Sequence, residues 1–164
     1  MLYNVGYFGP QILFIIILAH LSNGHIRLFL IEVFNLMTNL ILKKLIRQPR
    51  PKGSISVNQL DRLDEGQCGM PSSHAQLMGS MLVFSLLHFR TGLVSTIAFM
   101  LTSITLWQRY VCRKHTISQL AAGLLVGGAL IFFFEFDKLG GCQSMEVLLR
   151  GNHLPNRDRP GDFF

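Results

Sequence analysis

An all-α fold, a polytopic membrane helix bundle of about five spans, is predicted from three features of the sequence. Of 164 residues, 49% are hydrophobic and 15% charged, and the mean hydropathy is +0.38, a balance of small integral membrane proteins more than of water-soluble domains. The apolar residues gather in five stretches, at about 8–21, 26–46, 73–89, 93–110 and 116–136, several of them near the roughly 20 residues that cross a hydrocarbon core. Polar, Gly- and Pro-bearing breaks separate them, as expected where helices end.

Taken in order, the first stretch is short and closes at Ser22-Asn23-Gly24, a tight helix-to-helix turn. The second carries Glu32, Asn35 and Asn39, polar side chains that in a membrane helix either line a substrate path or hydrogen-bond to a neighbour. Residues 47–70 are polar and contain Pro49, Pro51, Gly53 and Gly66, which makes them the long loop. The third stretch opens at Ser73 and ends at a second tight turn, Arg90-Thr91-Gly92. The fifth contains AAGLLVGGA, residues 121–129, whose small side chains let another helix approach closely. A membrane domain is thus expected over residues 1–136 and a polar, loosely ordered tail over 137–164. The beginning of the chain lacks the charged region and small-residue cleavage site of a signal peptide, so the apolar segments themselves are expected to direct membrane insertion.

The formal charge is +6, which suits an acidic partner such as a lipid headgroup or a phosphorylated substrate. Nucleic acid is the weakest choice for a membrane chain. Cys68, Cys112 and Cys142 are widely spaced and odd in number, which indicates neither a disulfide framework nor a zinc site.

Threading five spans through a bilayer brings the polar residues of interest to one face. If the second span emerges there at Lys43, the long loop lies there, His74 opens the third span, Arg109 ends the fourth and His115 begins the fifth. Lys43 and Arg50 are two helical turns apart and suited to share an anion. Ser72, Ser73 and His74 stand at a helix N-terminus, where backbone N–H groups and the helix dipole attract phosphate. Arg109 offers a guanidinium fork, and Gln119 lies one turn beyond His115, near enough to hold its imidazole. One histidine as nucleophile, a second as general acid and three cations suffice for phosphoryl transfer through a phosphohistidine. The nearest acids, Asp61, Asp64 and Glu65, fall in the loop outside these segments, so no metal or other cofactor is expected.

Three segments, Lys43-x6-Arg50-Pro51, Pro71-Ser72-Ser73-His74 and Arg109-x5-His115-x3-Gln119, resemble the signature of the type 2 phosphatidic acid phosphatase superfamily, usually K-x6-RP, PSGH and SR-x5-H-x3-D. The resemblance implies an acid phosphatase-haloperoxidase-like membrane bundle, commonly of six spans, with metal-independent phosphatase activity. It implies His115 as nucleophile, His74 as acid, and Lys43, Arg50, Arg109, Ser72 and the backbone of Ser73 as phosphate ligands. This chain departs from the pattern at Ser73, Gln108 and Gln119. The first and third of these, in GMPSSHAQ and HTISQ, are similar to the dolichyl-diphosphatase branch. Gln119 accepts an imidazole N–H without supplying a charge, which favours a diphosphate with its less basic leaving group.

The branch implies hydrolysis of dolichyl diphosphate to dolichyl phosphate and inorganic phosphate, recycling the lipid carrier of protein N-glycosylation. Two other readings fit the same residues. One is the same mechanism on phosphatidate, a sphingoid phosphate or a shorter polyprenyl diphosphate; the other is a membrane protein that only binds lipid or a scaffold partner. Lys44, Arg47, Arg113 and Lys114 are read as snorkelling anchors and topology signals. Nine of the fifteen Lys and Arg residues fall on the face of His115, but without the three presumed phosphate ligands the two faces are equal, so charge alone does not orient the chain. The resemblance implies an endoplasmic-reticulum membrane with this face luminal.

Overall fold

Helices dominate the computed structural model, which describes residues 2–20, 25–63, 68–89 and 92–135. They are α1 (Leu2–His20), α2 (His25–Ile46), α3 (Gln59–Leu63), α4 (Ser73–His88), α5 (Gly92–Val111) and α6 (Ile117–Glu135). No strand forms among the described residues, and the loop is pinned by an isolated antiparallel bridge between Pro49 and Cys68. The expected all-α class is therefore observed. The turns expected at 22–24 and 90–91, the acids Asp64 and Glu65, and the tail with Cys142 lie outside the described residues.

The first helix begins at Leu2, well before the apolar run, so α1 is not abbreviated. At 19 residues it is roughly 28 Å long. Helices α1 and α6 have the length and composition of membrane spans. The 22 residues of α2 and 20 of α5 are long enough but interrupted by polar side chains, and α4 has 16 residues. α2 is inside-out relative to a helix in water. Its polar Glu32, Asn35 and Asn39 are buried, while Phe29, Leu30, Met37, Leu40 and Ile41 are each more than half exposed. Such a helix suits surroundings of hydrocarbon, where polar groups must find partners inside the protein.

Helix α4 is central. It packs against α1, α2 and α5, with Leu13, Ile17, Leu28, Ile31, Met78, Met81, Phe84, Ala98 and Ile131 forming the buried apolar core. Against α6 the approach is closer still. A Cβ on Gly127 would collide with the Gln76 carbonyl and come within 3.0 Å of the Ser80 nitrogen, and one on Gly79 would lie 2.8 Å from the Leu124 Cα. The small residues of 121–129 thus have the packing role expected of them.

The long loop is more ordered than its composition suggests. Arg47 and Arg113 adopt left-handed backbone conformations, with φ of 50° and 51°, just beyond the ends of α2 and α5, where such a residue terminates a helix. Asn58 caps α3 by accepting the Asp61 N–H at 2.7 Å. The loop is tied to the α5–α6 connection by Ile55 N–H donating to the Cys112 carbonyl at 2.9 Å, and its two ends are tied together by Gly69 N–H donating to the Gln48 carbonyl at 2.7 Å.

Candidate active site

The α2–α4 interface carries a continuous polar seam. Residues 32, 35, 39 and 43 share one stripe of α2, and 73, 76 and 80 share one stripe of α4, each at helical spacing. Starting in the bundle interior, Ser80 Oγ donates to Glu32 at 2.7 Å and Asn35 Nδ2 donates to both Glu32 and Ser80, at 3.0 and 3.1 Å. Gln76 Nε2 donates to Asn35 Oδ1 at 2.7 Å, and Asn39 Nδ2 donates to Gln76 Oε1 at 2.7 Å. Ser73 Oγ donates to Asn39 Oδ1 at 2.8 Å and accepts from Lys43 Nζ at 2.7 Å. Glu32, Asn35 and Asn39 all hydrogen-bond between helices, and Glu32 also lines a cavity between α1, α2 and α4.

At the start of α4, Ser72 is the N-cap and its Oγ accepts the Ala75 N–H at 3.4 Å. Ser72 is fully buried. The Ser73 hydroxyl proton is committed to Asn39, so of the ligands expected from Ser73 only its backbone N–H remains open to an anion. Next in sequence, His74 meets Arg109. Arg109 Nη2 donates to the ring, lying 2.7 Å from Nδ1 and 2.5 Å from Nε2. Tyr7 of α1 completes this wall, its ring centroid 5.3 Å from that of His74 and 5.2 Å from the Arg109 Cζ.

Arg109 has a second partner that the sequence does not announce. Its Nη1 lies 2.6 Å from Asp61 Oδ1, and the Lys114 Nζ lies 3.4 Å from Asp61 Oδ2, all three residues being almost completely buried. Lys114 also donates to Ser56 Oγ at 3.0 Å. Its expected place as a snorkelling anchor is corrected accordingly, because an ammonium with no exposure cannot reach a headgroup layer. Lys44, Arg47 and Arg113 remain exposed at helix ends. Burial raises the Asp61 pKa, but the Val57 N–H, Arg109 and Lys114 outweigh it and the carboxyl stays below its usual range.

His115 is buried, and its Nδ1 lies 2.9 Å from the Gly69 carbonyl oxygen. A carbonyl only accepts, so Nδ1 carries the proton and Nε2 keeps its lone pair. Burial first, then Arg50, Arg109 and Lys43, push its pKa down to about 3. Those three cations, with His74, thus surround one imidazole.

Gln119 does not hold that imidazole. Its Nε2 donates to Gln48 Oε1 at 3.1 Å and to the Pro49 carbonyl at 2.9 Å, and its Oε1 accepts the Thr116 N–H at 3.2 Å. The bond expected from Gln119 is made by Gly69 instead. A Cβ on Gly69 would lie 2.8 Å from Gln119 Oε1 and 3.0 Å from the Arg50 Cγ, so glycine is what lets its carbonyl reach His115 between them. Gln119 therefore supports the segment leading into Arg50. Gln108 is buried, donating to the Cys112 Sγ at 3.6 Å and packing on Gly6.

A buried imidazole with a free lone pair, a second histidine and surrounding cations form a site able to attack and hold a phosphoryl group. Residues 24–135 match the profile of the PAP2 superfamily, and the chain belongs to that superfamily. Within it, the chain is similar to the dolichyldiphosphatase of Saccharomyces cerevisiae, 29% identical over 115 residues that cover 62% of this chain and 48% of the yeast protein. The chain thus spans about half the length of that relative, in agreement with the branch that GMPSSHAQ and HTISQ point to. No solved structure matches it.

Proposed function

We propose that the chain is a membrane-embedded lipid phosphatase that hydrolyses dolichyl diphosphate to dolichyl phosphate and inorganic phosphate without a metal ion. The reading rests above all on His115, whose Nδ1–H is held by Gly69 while Nε2 stays unprotonated among Arg50, Arg109 and Lys43. Nε2 attacks the terminal phosphorus, the bond to the bridging oxygen breaks, and dolichyl phosphate leaves. His74 accepts from Arg109 in the free site; it takes up a proton with the incoming substrate phosphate, whose charge offsets the surrounding cations, and passes that proton to the departing oxygen. Water then attacks the phosphohistidine, giving its proton to His74 and releasing phosphate from His115. Lys43, Arg50, Arg109, the Ser72 hydroxyl and the Ser73 backbone N–H neutralise the transferring oxygens. The apolar outward side chains of α2, α5 and α6 support a bundle of about five spans, which we place in the endoplasmic-reticulum membrane with the site luminal.

A substrate panel tests this reading. Purified protein in chelator is expected to release phosphate fastest from dolichyl diphosphate, more slowly from phosphatidate and a sphingoid phosphate. Comparable rates on all three would remove the dedicated diphosphatase, loss of activity in chelator would remove metal independence, and no release from any would leave a lipid-binding protein.

A further inference from the structure

Among the described residues, Asp61 is the one acid that the fold delivers into contact with the cations around the two histidines; it lies outside the three motif segments, and the phosphoryl-transfer scheme assigns it no task. Its placement is built. Asn58 caps the short helix that carries it, the Val57 N–H donates to Oδ2 at 3.0 Å, Oδ1 meets Arg109 Nη1 at 2.6 Å and Oδ2 faces Lys114 at 3.4 Å. Both oxygens are fixed, and the carboxylate has essentially no contact with solvent.

Two consequences follow from the chemistry of a guanidinium. With Nη1 tied to Asp61, the planar group cannot rotate about its last bond without breaking a buried ionic hydrogen bond, so Nη2 is turned toward His74. The Nε–H of Arg109 is buried and has no hydrogen-bond partner, so the edge formed by Nε and Nη2 is the one presented to an incoming oxyanion. The second consequence is electrostatic. A carboxylate beside a phosphate site repels the ligand, and in a buried site that repulsion is poorly screened.

We propose that Asp61 is a positioning residue that aims Arg109 at the phosphoryl group and weakens the site's hold on phosphate, so that the product departs. The inference rests on the phosphatase reading, but part of its test does not. Orthophosphate binding to the purified protein in detergent is measured by calorimetry, and turnover is measured separately on dolichyl diphosphate. Asp61→Asn is expected to bind orthophosphate about tenfold more tightly, because one negative charge is gone, and to turn over about tenfold more slowly, because the guanidinium loses its aim. A carboxylate that serves only folding would weaken both. A folded Asp61→Asn protein with unchanged or weaker orthophosphate affinity overturns the inference and leaves the phosphatase reading standing. Wild-type protein that binds orthophosphate and cleaves no lipid phosphate does the reverse, with affinity still read in the variant. If Asp61→Asn does not fold, Asp61→Glu decides. It keeps the charge and moves the carboxylate, so orthophosphate affinity within about twofold of wild type with slower turnover supports the inference, and an altered affinity overturns it.

Discussion

Lys43 and Arg109 both bear on the same two histidines and are held by opposite means. Lys43 leans on a hydroxyl that ends a ladder of amides and alcohols along α2 and α4. Arg109 is gripped by a carboxylate brought in from the polar loop. A hydroxyl or an amide fixes a cation's position without itself cancelling the charge, whereas a carboxylate fixes position and cancels part of the field. The two supports thus differ in what they do to the charge they hold. Removing a support from either side is therefore expected to have different consequences.

The largest expected effect removes what both sides serve. His115→Ala should lower phosphate release by about 10⁴-fold or more, measured as turnover in protein that keeps its helical circular dichroism. Undiminished release would mean that the two cations surround something other than the nucleophile. Next comes the Lys43 side. Ser73→Gly deletes the hydroxyl between Lys43 and Asn39, and should raise KM several-fold while reducing kcat less, at a stability cost of about 1 kcal/mol. A fall in kcat as large as that expected for Asp61→Asn, with KM unchanged, would erase the contrast between the sides.

The smallest effect is on stability against pH. The folded protein holds the His115 pKa at about 3, below the ordinary value near 6.5, so between these limits the unfolded chain binds the additional proton. Stability from this group is therefore complete above about pH 6.5 and declines as pH falls toward 3, by at most about 1.4 kcal/mol per pH unit. Denaturation followed in detergent between pH 7 and 5 should show a steeper decline in wild type than in His115→Phe. An equal decline in both would place its origin in other groups.

The fold class was legible because five apolar runs and the punctuation between them are local properties of the chain. Lys43, Arg50, His74, Arg109 and His115 were legible because their spacing from helix ends puts them on one face. The partners of those residues were harder to see. Asp61 reaches Arg109 across 48 positions, from a loop whose composition gives no hint of a capped helix. Gly69 contributes through its carbonyl, which no residue type advertises. Gln119, at the correct spacing from His115, turns instead to Gln48 and Pro49, because an amide one turn away has several acceptors to choose from once the loop folds over it. The seam had a visible signal, the stripe at 32, 35, 39 and 43 matched by 73, 76 and 80. Pairing the two stripes required knowing that α2 and α4 are neighbours.

The seam also governs how the bundle can deform. Because its bonds run along a length of α2 from Glu32 to Lys43, sliding that helix past α4 means breaking them together in a medium that offers no substitutes. α6 meets α4 through small residues and close backbone contact, a smoother junction in which, among the described residues, no ladder of side-chain hydrogen bonds runs along the two helices. In a bilayer whose thickness changes, α2 and α4 should tilt as one unit and α6 should take up the difference, so that the spacing of Lys43 and His74 stays constant while the outer wall adjusts.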